Sequence, residues 1–148
     1  MSLGLRKFAW IATMALVVAA NLFNLGILRI WFGFVLLPYF LVVARVNWKF
    51  LNLPDFGVAH AILFVAALLI YAGANLVLPD CGSIEPYYVF FRRYEFTGDA
   101  GNSWWIWTLV LFIASALLTV WEFSELRLEK AHRKKMWAQA KQRKSFGG

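Results

Sequence analysis

Eighteen consecutive residues, Trp104 to Trp121, carry no charge. Beyond them the chain switches to Glu122, Glu125 and Glu129 mixed with Arg127, Lys130, Arg133, Lys134, Lys135, Lys141, Arg143 and Lys144. An apolar run of this length crosses a bilayer core as a helix. A basic cluster at its end resists translocation and stays on the cytoplasmic side. This one junction fixes an end of the chain in space, and the other segments can be threaded back from it.

From Phe8 the sequence is apolar to Ala44, broken by a single charge, Arg29. As a helix that run would be about 55 Å long, far more than the roughly 30 Å hydrocarbon core. It must therefore fold back once. The break belongs around Asn21 to Arg29, where Asn21, Asn24, Gly26 and Arg29 cluster. The expected spans are about 8–25, 30–46, 58–78 and 104–121, with an outer loop over 79–103. Residues 1–121 then form an all-α bundle of four transmembrane helices, and 122–148 a charged C-terminal helix in the cytoplasm. Pro38 falls inside the second span and removes a backbone donor there, which reads as helix shape rather than as a hinge. Before the third span, Asp55 in Pro54-Asp55-Phe56-Gly57 is the expected N-cap. That span is rich in alanine, and Ala66, Gly73 and neighbouring alanines suggest a small-residue face for close helix approach.

Charge content agrees with this architecture. Only 16% of the 148 residues are charged and the mean hydropathy is +0.62, whereas soluble domains carry about 25% charged residues. The net charge of +7 follows from orientation and does not require nucleic acid. Arg6, Lys7, Arg45, Lys49 and the eight basic residues after Trp121 fall inside; Arg29, Arg92 and Arg93 fall outside. This bias places both termini in the cytoplasm of a plasma membrane, a bacterial inner membrane being the expected one. A rival reading takes the start as a signal peptide, with Arg6 and Lys7, an apolar centre from Ile11 to Val18, and a Val18-Ala19-Ala20 cleavage site; three spans would then remain.

The polar residues of the spans are few. Asn21, Asn24, Arg29 and Asn75 all fall towards the outer side and form one possible cluster, either a substrate or headgroup site or a set of helix–helix hydrogen bonds. The outer loop offers a second surface, with Cys81, Tyr87, Tyr88, Phe90, Phe91, Arg92 and Arg93, as an interfacial helix or a small hairpin. The tail offers a third: Lys130, Arg133, Lys134, Lys141 and Lys144 share one side of a helix and suit anionic headgroups or a partner. Glu129 and Arg133 are spaced to pair, and Glu122 and Glu125 are expected to pair with neighbouring Lys and Arg. His60 reads as an interfacial histidine rather than a ligand. Cys81, as the single cysteine, makes no intrachain disulfide or Cys-x-x-Cys pair.

Phosphate loops, nucleophile elbows and His-Glu-x-x-His motifs are missing from the sequence. No catalytic, cofactor-binding or metal-binding residue is therefore assigned, and no cofactor is expected. Three functions follow in order: a non-catalytic accessory subunit of a larger integral membrane complex, a small oligomeric transporter or channel, and an enzyme acting on a lipid-linked substrate through Arg92 and Arg93.

Overall fold

A computed structural model of the chain describes residues 1–23, 27–81, 87–89, 94–96 and 98–146. Four helices, α1 (Leu3–Phe23), α2 (Ile27–Leu51), α3 (Val58–Val77) and α4 (Gly98–Phe146), make the bundle. Each is long and apolar enough to cross a membrane, so the protein is a multi-pass membrane protein. Three short strands, β1 (Asp80–Cys81), β2 (Tyr87–Val89) and β3 (Tyr94–Phe96), link α3 to α4.

The helices pack as a square. Contacts run α1 to α3, α3 to α4, α4 to α2 and α2 to α1, so α2 and α3 face each other across a diagonal. On α4 the buried and exposed faces are the reverse of those of a helix in a water-soluble bundle. The fully covered positions of α4 are Thr108, Ser115, Thr119 and Glu122, at helical spacing. Its exposed positions include Ile106, Trp107, Leu109, Ile113, Leu117 and Val120. Lipid is as apolar as leucine, so an outward apolar face costs nothing there, and small polar residues let the backbones approach. Thr108 and Thr119 donate to the carbonyls of Trp104 and Ser115 at 2.8 Å, which satisfies their hydroxyls within the helix. Tyr39 on α2 donates to Ser115 Oγ at 2.8 Å and ties α2 to α4 at mid-bundle.

On α3 the buried face is Phe64, Ala67, Leu68, Tyr71, Ala74 and Asn75. Of the expected small-residue face, the neighbouring alanines Ala67, Ala72 and Ala74 are buried. Ala66 and Gly73 are only half-buried, and a Cβ added to Gly73 would meet nothing within 4 Å. Composition could show that small residues were present, but the packing face follows the large ones that fill the square, with Ala67 and Ala74 where backbones come close.

The α2–α3 end of the bundle is stapled by aromatic and cationic side chains. Arg6 donates to the Leu51 carbonyl at 2.7 Å and lies 4.0 Å over the Phe56 ring. Trp10 donates to the Ala44 carbonyl at 3.2 Å and its ring lies 4.9 Å from Trp48. Phe50, Phe56, His60 and Phe64 form a ring cluster beneath. Asp55 does not cap α3. Its N-cap is Gly57, because Leu53 is drawn into the core and the chain turns outward over Pro54 and Asp55 before the helix starts. His60 Nδ1 accepts the Gly57 N–H at 3.3 Å, so the N3 side chain satisfies the N-cap donor while glycine has no side chain to return the bond.

At the opposite end the hairpin alternative holds for the outer loop: β2 and β3 pair antiparallel, and β1 adds a third strand in the order β1-β2-β3. Tyr87, Tyr88 and Val89 pair with Phe96, Glu95 and Tyr94. The all-α expectation therefore holds for the bundle and misses this small sheet. Helix α4 starts at Gly98, ahead of the expected Trp104, and runs for 49 residues. That is roughly 70 Å, so it extends well past the hydrocarbon core.

Candidate functional site

Of the expected polar cluster, the structure brings Asn21, Arg29 and Asn75 together; Asn24 lies outside the described residues. Asn21 is on the face of α1 that buries Met14, Val17 and Ala20. Arg29 stands in the first turn of α2 and is 5% exposed. Asn75 is buried in the last turn of α3.

Arg29 is the centre. Its Nη1 donates to the Ala20 carbonyl at 3.2 Å and to Asn21 Oδ1 at 3.0 Å. Its Nη2 donates to the Asn75 carbonyl at 3.1 Å and the Leu78 carbonyl at 2.7 Å. Asn21 Nδ2 donates to Asn75 Oδ1 at 2.9 Å and to the Val17 carbonyl at 2.8 Å. Asn75 Nδ2 closes the set on the Tyr71 carbonyl at 2.9 Å. The last carbonyls of a helix lack intrahelical partners and carry the negative end of its dipole. Arg29 therefore caps the ends of α1 and α3 with one planar fork, a geometry that the guanidinium has and an ammonium lacks. The arrangement holds three helices in register. It engages the two Nη nitrogens and both amides with each other and with backbone, which is what a clamp does.

Below the clamp, a cavity of about 390 Å³ is bordered by Asn21, Arg29 and Asn75 on one side and by Val17, Leu37, Phe40 and Tyr71 on the other. It is mostly apolar and half open. Between α2 and α4 lies a second groove of about 640 Å³, lined by Val35, Tyr39, Trp105, Leu109, Phe112 and Ile113 among others. It has an apolar floor and opens to the lipid side.

Sequence reasoning missed Glu122. Its position beside the basic tail suggested an ion pair, but its side chain is 0% exposed and neither oxygen has a hydrogen-bond partner. The reason is helical phase: Glu122 follows Ser115 and Thr119 on the inward face, while the basic residues project outward. Asn47 on α2 is also 0% exposed. Its Nδ2 donates to the Val43 carbonyl at 3.0 Å, and its Oδ1 has no partner. The Tyr39–Ser115 bond sets the register of α2 against α4. Asn47 and Glu122 then lie about two turns further along their helices, at the same depth. The unpartnered oxygens of both side chains leave that depth rich in acceptors. A signal was present in the sequence: continuing the spacing of Ser115 and Thr119 by three residues reaches Glu122.

The other acids behave more simply. Glu125 accepts from Trp121 Nε1 at 3.3 Å, and Glu129 pairs with Arg133 at 2.7 Å as the spacing predicts. His60, Glu125, Glu129 and His132 border a shallow cleft, but among the described residues no three such groups converge to hold a metal ion. Of the outer-loop residues, Cys81, Tyr87 and Tyr88 fall in β1 and β2, with Cys81 opposite Tyr87; Phe90, Phe91, Arg92 and Arg93 lie outside the described residues. In the tail, Lys130 and Arg133 border a cleft with Arg45 and Lys49 of α2. Lys134 is exposed further along α4, and Lys141 and Lys144 belong to its last turns.

No protein-family model, curated protein or solved structure matches the chain. The chain is a four-helix multi-pass membrane protein.

Proposed function

We propose that the protein is a non-catalytic accessory subunit of a larger integral membrane complex, seated in a bacterial inner membrane with both termini cytoplasmic. The observation that carries this is the engagement of the polar cluster. Asn21, Arg29 and Asn75 donate to one another and to the ends of α1 and α3, which makes the cluster internal scaffolding. The surfaces left over are apolar, above all the groove between α2 and α4. Such a groove suits a partner's transmembrane helix through van der Waals packing. The excess of basic residues at the α2–α3 end and along the tail supports the orientation. The outer loop and the charged extension of α4 supply further contacts outside the lipid. The test is purification from the native membrane in mild detergent, with the mass and composition of the particle determined. A stoichiometric larger complex is the expected result; a particle of this chain alone overturns the reading.

A second reading, a small oligomeric transporter or channel, is favoured by Glu122. An ionisable group covered by protein within a helical bundle commonly marks an ion or proton path, and Asn47 at the same depth adds a polar neighbour. Flux in proteoliposomes that is lost in Glu122→Gln with the fold retained would move the assignment to this reading.

A further inference from the structure

At the α2–α3 end, the last turns of α2 and the stretch of α4 just beyond Trp121 stand apart and leave a cleft of about 570 Å³. Its walls carry Arg45 and Lys49 from α2 and Arg127, Lys130 and Arg133 from α4. On each helix these residues recur at helical spacing, so their side chains turn to one side. Its floor is apolar, from Val46, Leu53, Phe123 and Leu126. One carboxylate, Glu129, borders the cleft, and it is held by Arg133 at 2.7 Å. Arg127 lies 4.5 Å over the Phe123 ring, which fixes its planar fork at the rim.

We propose that this cleft binds the phosphodiester of an anionic phospholipid, with the acyl chains running along the apolar floor towards the lipid-facing surface. Three observations converge on that occupant. Like charges face each other from two helices with a single carboxylate among them, an arrangement that a bound anion relieves. Arginine forks recognise phosphate oxygens two at a time, and lysines add point charge. The third is depth. The cleft lies where α4 passes from uncharged residues to charged ones, which is headgroup level for a helix crossing the bilayer. A soluble phosphate would use the cations but not the floor. The exposed Phe123 and the part-exposed Val46 and Leu126 beside the charges give the acyl chains a surface. The site differs from the general attraction of a basic tail for a membrane, because Lys134 and Lys135 are not part of it and two residues of α2 are. It stands independently of whether the chain has partner subunits.

The test uses the full chain in a neutral detergent and native mass spectrometry, with phosphatidylglycerol, phosphatidylcholine and inorganic phosphate as probes. Phosphatidylglycerol is expected to be retained at a stoichiometry of one at concentrations where phosphatidylcholine and phosphate are not. Arg45→Gln with Arg127→Gln is expected to weaken retention about 25-fold, from roughly fivefold per cation. Lys134→Gln with Lys135→Gln, the same change in charge outside the cleft, is expected to change it less than threefold. Equal retention of phosphatidylcholine overturns the proposal, and this arm needs no variant. Equal loss in both double variants overturns it in favour of a diffuse field. Binding of inorganic phosphate as tight as that of phosphatidylglycerol overturns the lipid and leaves a soluble phosphate group as the occupant.

Discussion

Replacing Arg29 by methionine tests the clamp directly. The substitution keeps much of the side-chain volume and removes four hydrogen bonds, to Ala20, Asn21, Asn75 and Leu78. Hydrogen bonds within membrane bundles average about 0.6 kcal/mol in double-mutant cycles, which sets a lower bound of about 2 kcal/mol for the set. Charged donors lost to buried carbonyls cost more, and removing one partner of a buried charged network costs about 3–5 kcal/mol. The expected loss is therefore about 2–5 kcal/mol. Arg29→Lys separates charge from geometry. An ammonium keeps the favourable charge at two helix ends, yet its tetrahedral donors cannot span four acceptors on two helices. It should recover about half of the loss. The assay is reversible unfolding in mixed micelles, followed by tryptophan fluorescence. A cycle pairing Arg29→Met with Asn21→Ala should give a coupling of about 0.5–3 kcal/mol, because the two share one network. Wild-type stability in Arg29→Met would refute the clamp. So would full recovery in Arg29→Lys, which would reduce the role of Arg29 to its charge.

Glu122→Gln should keep the fold and hold stability within about 1 kcal/mol of the parent or above it, since the amide is neutral and supplies donors for the unpartnered acceptors at its depth; a larger fall in the same unfolding assay would show that a carboxylate is required. Tyr39→Phe should cost about 0.5–1.5 kcal/mol through loss of the bond to Ser115, and Ser115→Ala should add little on top of it; additive losses would mean that the two do not interact. Gly73→Ala should leave stability unchanged or raise it by up to about 1 kcal/mol, because alanine favours the helix and the added methyl meets open space. Ala74→Leu should cost about 1–3 kcal/mol by overpacking at a fully buried position. Equal effects at 73 and 74 would contradict the assigned rotation of α3.

Helices and their number were legible because apolar runs in a bilayer are long and uniform, and because a 37-residue run from Phe8 to Ala44 cannot cross once without turning. The Asn21, Arg29 and Asn75 cluster was legible for a related reason: polar residues near the end of an apolar span need partners, and these three share a depth. What stayed hidden depends on rotation rather than depth. Glu122 lies one residue past the last uncharged run, and its inward phase shows only when the spacing of Ser115 and Thr119 is carried on into the cations. The packing face of α3 was legible only in part for the same reason, since Ala66 and Ala67 look alike until Phe64 and Tyr71 are known to face inward. The cap of α3 moved from Asp55 to Gly57 because burial of Leu53 decided where the turn ends. The basic cleft needs Arg45 and Lys49 beside Arg127, Lys130 and Arg133, a contact between helices that are far apart in the chain.

The order in which the acceptors of Arg29 are synthesised has a consequence for biogenesis. Ala20 and Asn21 precede the arginine in the chain, whereas Asn75 and Leu78 follow it by more than an entire span. A newly inserted α1–α2 hairpin therefore presents a guanidinium with half of its final contacts, at the aqueous margin of the membrane. Only when α3 has inserted does the fork close on its remaining carbonyls. The hairpin is an open clasp during translation, and the third helix is the part that shuts it.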